Sequence, residues 1–336
     1  MPIITPGEGR GTRRAPRVSG AGGLAAPALA RRTPRGLSMR RIGIIGVGLL
    51  GSAVAARLLA KGFEVAGYDT RRAQLTARQG QGLRPAASLT DAVTGADAVF
   101  TILPTPDVVE QVWLAVGGLL ETAPATSVLM QMSTISPPLV RRLGEAAHTR
   151  GRKFLDTPIS GTSTMVARGE CAIFVGGDRV VADTVWSAFE AIASKTVHVG
   201  PVGAATVTKL AANLVGGLNT IALAEALVLG AKAGVAPSVL LDALRQSPVG
   251  SRMMDSRGRQ MVERHFEPYI RLDLFMKDFR LMLEEGGRVG APLPLTSVAH
   301  QLCMATSSAG HGGEDLSAVI TTLEYLAGMR PGETRA

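Results

Sequence analysis

Two cysteines among 336 residues, Cys171 and Cys303, are too few for a disulfide framework or a cysteine-rich metal site. Such scarcity fits a reducing compartment, so the expected location is the cytoplasm. Histidine is scarce as well. His148, His198, His265, His300 and His311 show no H-E-x-x-H or similar spacing, and no metal is expected. A secretory h-region and a solenoid-type repeat are both missing. Acidic side chains are almost absent from residues 1–38, where Glu8 faces seven arginines (Arg10, Arg13, Arg14, Arg17, Arg31, Arg32, Arg35). That segment carries +6 of the net +9 and leaves the remainder nearly balanced at +3. Rich in Gly, Pro, Ala and Arg and without apolar periodicity, residues 1–38 should be disordered. The fold is expected to begin at Met39. The segment before it reads first as a misplaced start, then as an Arg-rich, acid-poor transit peptide that would direct organellar import, and last as a nucleic-acid arm.

What remains is a chain long enough for two domains, with 46% hydrophobic and 19% charged residues, as expected of a globular enzyme. Ile42-Gly-Ile-Ile45 reads as a short buried strand and Val47 to Leu59 as a helix rich in Ala and Leu. Between them stands Gly46-x-Gly48-x-x-Gly51. Gly46 permits the tight turn, Gly48 lets the backbone approach a pyrophosphate, and Gly51 lets helix and strand pack closely. The anion would rest on the helix N-terminus, among Val47, Leu49 and Leu50. Phe63–Tyr68 reads as a second strand, with Asp69 and Thr70 at its end. An acidic side chain there accepts from an adenosine ribose and repels a 2′-phosphate. The order strand, loop, helix, strand, Asp is what makes the pattern informative.

Further strands are expected over 98–103, 127–132, 153–156, 171–176 and 196–199, with helical patterns between the early ones. This alternation predicts an α/β, doubly wound parallel sheet of Rossmann type over residues 39–202. Ligands bind such sheets at the carboxyl ends of the strands. Pro104, Ser133, Thr134 and the loop Asp156-Thr-Pro-Ile-Ser-Gly161 fall there. After Gly203 the pattern changes. Residues 205–233 form one apolar stretch of membrane-spanning length, but Lys209, Asn213, Asn219 and Glu225 interrupt it, so it reads as a long interdomain helix and no membrane is expected. Helices over 237–246, 275–285, 295–307 and 316–328 follow without strand-like alternation, giving an all-α domain over 203–330.

Lys209 and Asn213, four residues apart, share one helix face. Near the helix start, and in a cleft against a nicotinamide, Lys209 would have a lowered pKa from dipole and burial. Such a lysine can exchange a proton with an oxygen that gains or loses a hydride. On spacing alone, a surface lysine beside a packed asparagine is the simpler reading.

Five blocks in order tip that balance. They are Ile42-Gly-Ile-Ile-Gly-Val-Gly-Leu-Leu-Gly51, Ser133-Thr-Ile-Ser-Pro137, Asp156-Thr-Pro-Ile-Ser-Gly161 with Gly169 beyond, Gly203 through Lys209 to Asn213, and Met276-Lys-Asp-Phe279. With them, residues 39 to about 328 resemble the β-hydroxyacid dehydrogenases: 3-hydroxyisobutyrate dehydrogenases, tartronate semialdehyde reductases and their relatives. The resemblance implies an active site between the two domains, with Lys209 as general acid/base and Asn213 as its partner. It implies that Ser160 and Gly161 bind the substrate carboxylate, that Lys277 closes the site near the nicotinamide, and that Leu103, Pro104, Ser133 and Thr134 contact the cofactor. The family loop commonly reads Ser-Gly-Gly. Here Thr162 takes the third place, which narrows the acid pocket or adds a donor and leaves the substrate open. Asp69 favours NAD, while Arg71 and Arg72 keep NADP possible.

The expected substrate is a small hydroxy-carboxylate or its semialdehyde, turned over by a homodimer or homotetramer. Three rivals are considered. An imine-reducing relative would be expected to lack the lysine. A non-catalytic nucleic-acid binder has no basic run with interleaved aromatics in the folded part. A decarboxylating sugar-phosphate dehydrogenase needs a larger helical domain than this chain provides.

Overall fold

The computed structural model describes residues 39–329. The expected extension over 1–38, and the last residue of the expected 203–330 domain, lie outside the described residues.

Strands β1 (Arg41–Ile45), β2 (Glu64–Tyr68), β3 (Arg84–Pro85), β4 (Ala98–Thr101), β5 (Val128–Gln131), β6 (Lys153–Asp156), β7 (Ile159–Ser160), β8 (Ala172–Gly177) and β9 (Lys195–Gly200) form one sheet. Its order is β3-β2-β1-β4-β5-β6-β8-β7, with β9 beside β8. The helices among and after the strands of this part are α1 (Leu49–Ala60), α2 (Arg72–Gln79), α3 (Leu89–Val93), α4 (Pro106–Leu114), α5 (Leu119–Thr122), α6 (Pro137–Thr149), α7 (Ser163–Arg168) and α8 (Arg179–Ile192).

The central strands are buried along their whole length, as expected of a sheet covered on both faces. Alternate residues feed opposite cores. Ile44, Phe100, Met130 and Leu155 meet Val54 and Leu58 on one face. Val99, Leu129 and Phe154 meet Trp113 and Leu143 on the other. Trp113 donates its indole N–H to Thr101 Oγ1 at 3.2 Å, so the largest buried ring leaves no orphan donor.

The sheet departs from the expected all-parallel arrangement at one place. β6 and β7 pair antiparallel with β8, whereas β8 and β9 are parallel. β7 continues in the direction of β6, both pairing with β8, and the chain turns back only over 161–171, where the six-residue α7 packs on α1. No long helix carries the chain across the sheet, so β8 enters reversed. The two-residue strands β3 and β7 have too few residues to show an alternation in sequence.

Helices α9 (Ala204–Lys232), α10 (Pro237–Gln246), α11 (Arg259–Glu263), α12 (Leu272–Val289), α13 (Pro294–Thr306) and α14 (Val319–Leu326) make up the second part. Their core contains Leu210, Leu223, Leu227, Phe275, Phe279, Cys303 and Ile320. Among the described residues, α9 is the one helix long and apolar enough to cross a membrane. Here it packs on α10, α12, α13 and α14 and against β8 and β9. Its N-terminus lies at the carboxyl edge of the sheet and its body serves the helical core.

Candidate active site

The first βα turn is shaped by its glycines. Gly46 has φ +96°, and its N–H donates to Tyr68 O at 2.8 Å, tying the loop to β2. A Cβ at Gly46 would meet the Ile102 carbonyl oxygen, and one at Gly51 would meet the Gly46 carbonyl oxygen. Gly48 differs: the nearest atom to a Cβ there is Arg71 Nη2, at 3.4 Å. Gly46 and Gly51 are therefore needed for packing, while Gly48 keeps a space open. α1 begins at that space without a side-chain cap or a first-turn acid, so its positive end is available to an anion. Val47 is buried, Leu50 half-buried and Leu49 exposed.

Asp69 ends β2. Its Oδ2 accepts from Val47 N–H and its Oδ1 from Arg71 N–H, both at 2.9 Å. The Arg71 guanidinium pairs with Oδ1 at 3.5 Å. Thr70 beside it is exposed. The loops after β4 and β5 are tied together by Ser133, whose Oγ accepts from Leu103 N–H at 2.8 Å. Ser133 is held in turn by the buried Gln131 amide, which accepts from Ser133 N–H and donates to Ser133 O. Leu103 is half-buried and Pro104 exposed at the end of β4. The open cradle at Gly48, the uncapped helix and the acid at the strand end fit a dinucleotide.

Lys209 and Asn213 do share a face of α9, and Lys209 is buried. Asn213 donates to Asp278 Oδ2 at 2.7 Å, and Lys277 Nζ lies 3.2 Å from Asp278 Oδ1. Lys277 also donates to Thr134 O at 2.7 Å. One cluster thus joins Lys209 and Asn213 of α9, Lys277 and Asp278 of α12, and Thr134 from the loop after β5. Burial pushes the Lys209 ammonium down from 10.5 to about 8; the Asp278 carboxylate opposes this and the Lys277 charge adds to it. The helix dipole is not the cause. Lys209 is the sixth residue of α9, beyond the first turn where that field acts.

In the loop after β6, Ser160 and Gly161 are half-buried and Gly161 has φ +150°. Thr162 also has a structural task. Its Oγ1 accepts from Met165 N–H at 3.3 Å and caps α7, so its first task is to start that helix.

Residues 41–200 match the family described as the NAD binding domain of 6-phosphogluconate dehydrogenase. Residues 203–323 match the NAD-binding domain of NADP-dependent 3-hydroxyisobutyrate dehydrogenase. A 2-(hydroxymethyl)glutarate dehydrogenase from Eubacterium barkeri is 32% identical over 86% of this chain and 96% of its own length. The chain belongs to the β-hydroxyacid dehydrogenase family. It is an NAD(P)-dependent oxidoreductase. An L-threonate dehydrogenase from Cupriavidus necator is 33% identical over 84% of this chain and 95% of its own. The 3-hydroxyisobutyrate dehydrogenase of Mycobacterium tuberculosis, solved with L-serine, superposes with TM-score 0.78 at 30% identity, over 85% of this chain and 99% of its own.

The dehydrogenase also has polar residues around the site that the motifs alone did not single out. Asp278 stood in sequence only as a neighbour for Lys277, yet it holds Asn213 as well. Gln131 was one polar letter in an apolar strand, the available hint that it satisfies a loop. Asp156 opened a motif without a role, and it proves to be fully buried.

Proposed function

We propose that the chain transfers a hydride between NAD and a small β-hydroxyacid, or in reverse to the corresponding semialdehyde, with Lys209 as general acid/base. The observation that carries this reading is Lys209 itself, a buried lysine with a pKa near 8 beside Asn213 and Asp278. At pH 7 about one such lysine in ten is neutral, against about one in three thousand at the ordinary pKa. A fraction of that size suits a group that must both take and give a proton.

In this reading the substrate carboxylate rests on Ser160, the Gly161 backbone and Thr162. The Thr162 hydroxyl proton is uncommitted, since its oxygen accepts the cap bond. The substrate hydroxyl faces Lys209 and Asn213. Neutral Lys209 accepts the hydroxyl proton during oxidation and returns it during reduction. Asn213, anchored by Asp278, orients the same oxygen. Lys277 spans from Asp278 to Thr134 O and holds the helical part against the cofactor part. Gly46, Val47, Gly48, Leu49, Leu50 and Gly51 would cradle the pyrophosphate, and Asp69 and Thr70 the ribose, with Leu103, Pro104, Ser133 and Thr134 along the nicotinamide half. When bound, the nicotinamide supplies the hydride acceptor or donor. The hydroxy-carboxylates in the names of two relatives support the substrate class.

The remaining parts of the reading are a cytoplasmic homodimer or homotetramer without membrane or nucleic-acid partners. Light scattering of the purified chain tests the oligomer. A panel of small hydroxyacids followed by NADH absorbance tests the function; no turnover with any hydroxy-carboxylate would overturn it. An imine-reducing role is disfavoured by the presence of Lys209.

A further inference from the structure

The helix that carries Lys209 does not cap its own N-terminus. Gly203, at the N-cap position with φ +94°, has no side chain to offer, and the first turn holds no acid. A helix start buried in this way leaves N–H donors that need partners. They find them in the sheet. Asp156, the last residue of β6 and fully buried, accepts on Oδ2 from Gly203 N–H at 3.1 Å and from Thr206 N–H at 2.8 Å. Its Oδ1 accepts from the Thr206 hydroxyl at 2.7 Å.

Asp156 is also joined to the rest of the site. It pairs in register with Gln131, the residue that holds the Ser133 loop. The next residue, Thr157, donates its N–H to Gln131 O at 2.8 Å. Ser160 of the carboxylate loop stands four residues after Asp156. On the other side, Thr206 precedes Lys209 by three positions, nearly one turn along the same helix. A single carboxylate thus bonds α9 to the strand from which the substrate loop springs.

We propose that Asp156 is a positioning residue, which caps α9 from the neighbouring strand and thereby fixes Lys209 against the Ser160–Gly161 loop. The inference rests on Lys209 as the acid/base. Asp156 acts through α9 and touches neither substrate nor cofactor. The cap is geometric. An asparagine can reproduce all three contacts, its oxygen accepting from the two backbone N–H groups and its amide donating to Thr206 Oγ1. An alanine reproduces none of them.

The test compares Asp156→Ala, Asp156→Asn, Thr206→Val and Thr206→Ser with Lys209→Ala in the full chain, using the best hydroxyacid of the panel and NAD. Asp156→Ala should lose tenfold or more in kcat while KM for NAD changes less than twofold. Asp156→Asn should recover most of that loss. Thr206→Val should lose several-fold in kcat and Thr206→Ser should restore it, a pair that decides the matter if Asp156→Ala does not fold. Asp156→Ala or Thr206→Val at wild-type kcat would overturn the proposal, as would a fall in kcat matched by an equal rise in KM for NAD. Near wild-type kcat in Lys209→Ala would instead refute the acid/base reading on which the proposal stands.

Discussion

Replacing Lys209 with methionine should abolish catalysis and stabilise the fold. Methionine keeps an unbranched chain of similar length in the same buried place and removes the ammonium. Burial holds that ammonium at about 8 rather than 10.5. The difference corresponds to roughly 3 kcal/mol of preference for the neutral form inside the protein. The folded pKa lies below the unfolded one, so between about pH 8 and 10.5 the unfolded chain holds more protons. Wild-type stability should therefore rise with pH across that window, and the full cost of the buried charge applies below it. The methionine variant escapes this cost. Asp278 keeps Asn213 and Lys277 as partners after the change, so no bare carboxylate is left to offset the gain. Urea unfolding at pH 7 should place the variant up to roughly 3 kcal/mol above wild type, with the advantage shrinking towards pH 10. Turnover should fall by about 10²–10⁴. A variant less stable than wild type at pH 7, or a stability difference that ignores pH, would refute the argument that Lys209 is held charged at a cost for the sake of its reactivity.

Asp278→Asn removes the carboxylate that keeps the Lys209 pKa from falling further, so the midpoint of the kcat–pH profile should move to lower pH; a rise would contradict the electrostatics. Gly48→Ala should leave the melting temperature unchanged but raise KM for NAD sharply, because the methyl enters the open cradle rather than the core. Gly51→Ala should lower stability by about 1–3 kcal/mol, since its Cβ meets the Gly46 carbonyl; thermal melts of the two variants separate the cases. Asp69→Asn should shift preference from NAD towards NADP by about 1–3 kcal/mol, leaving Arg71 at the mouth of the cradle for a phosphate. Wild-type kcat/KM that already favours NADP would reverse the reading of Asp69.

The local pattern of the chain determined a good deal. Ile42–Ile45, Gly46, Gly48, Gly51 and Asp69 follow a short-range grammar of strand, tight turn and helix start, and they lie as that grammar demands. The helix over 204–232 was legible as one long apolar stretch, and α10, α12, α13 and α14 as apolar-patterned segments. The five residues of α11 (Arg259–Glu263) are too few to show a helical period and were not anticipated. The i, i+4 spacing placed Lys209 and Asn213 on one face, since helical geometry is the same wherever the helix lies.

What the sequence did not hold was decided by contacts between distant residues. β8 runs antiparallel to β6 because of the path taken by residues 161–171, and strand direction leaves no mark in composition. The lowered pKa of Lys209 comes from burial at the junction of α9 and α12 rather than from its position along its own helix. Asp278, sixty-five residues away, anchors Asn213. Asp156 caps a helix that begins forty-seven residues later at Gly203. A carboxylate in a sequence can cap, pair or simply be solvated, and its partner is known only when the fold brings two segments together in a place that excludes water.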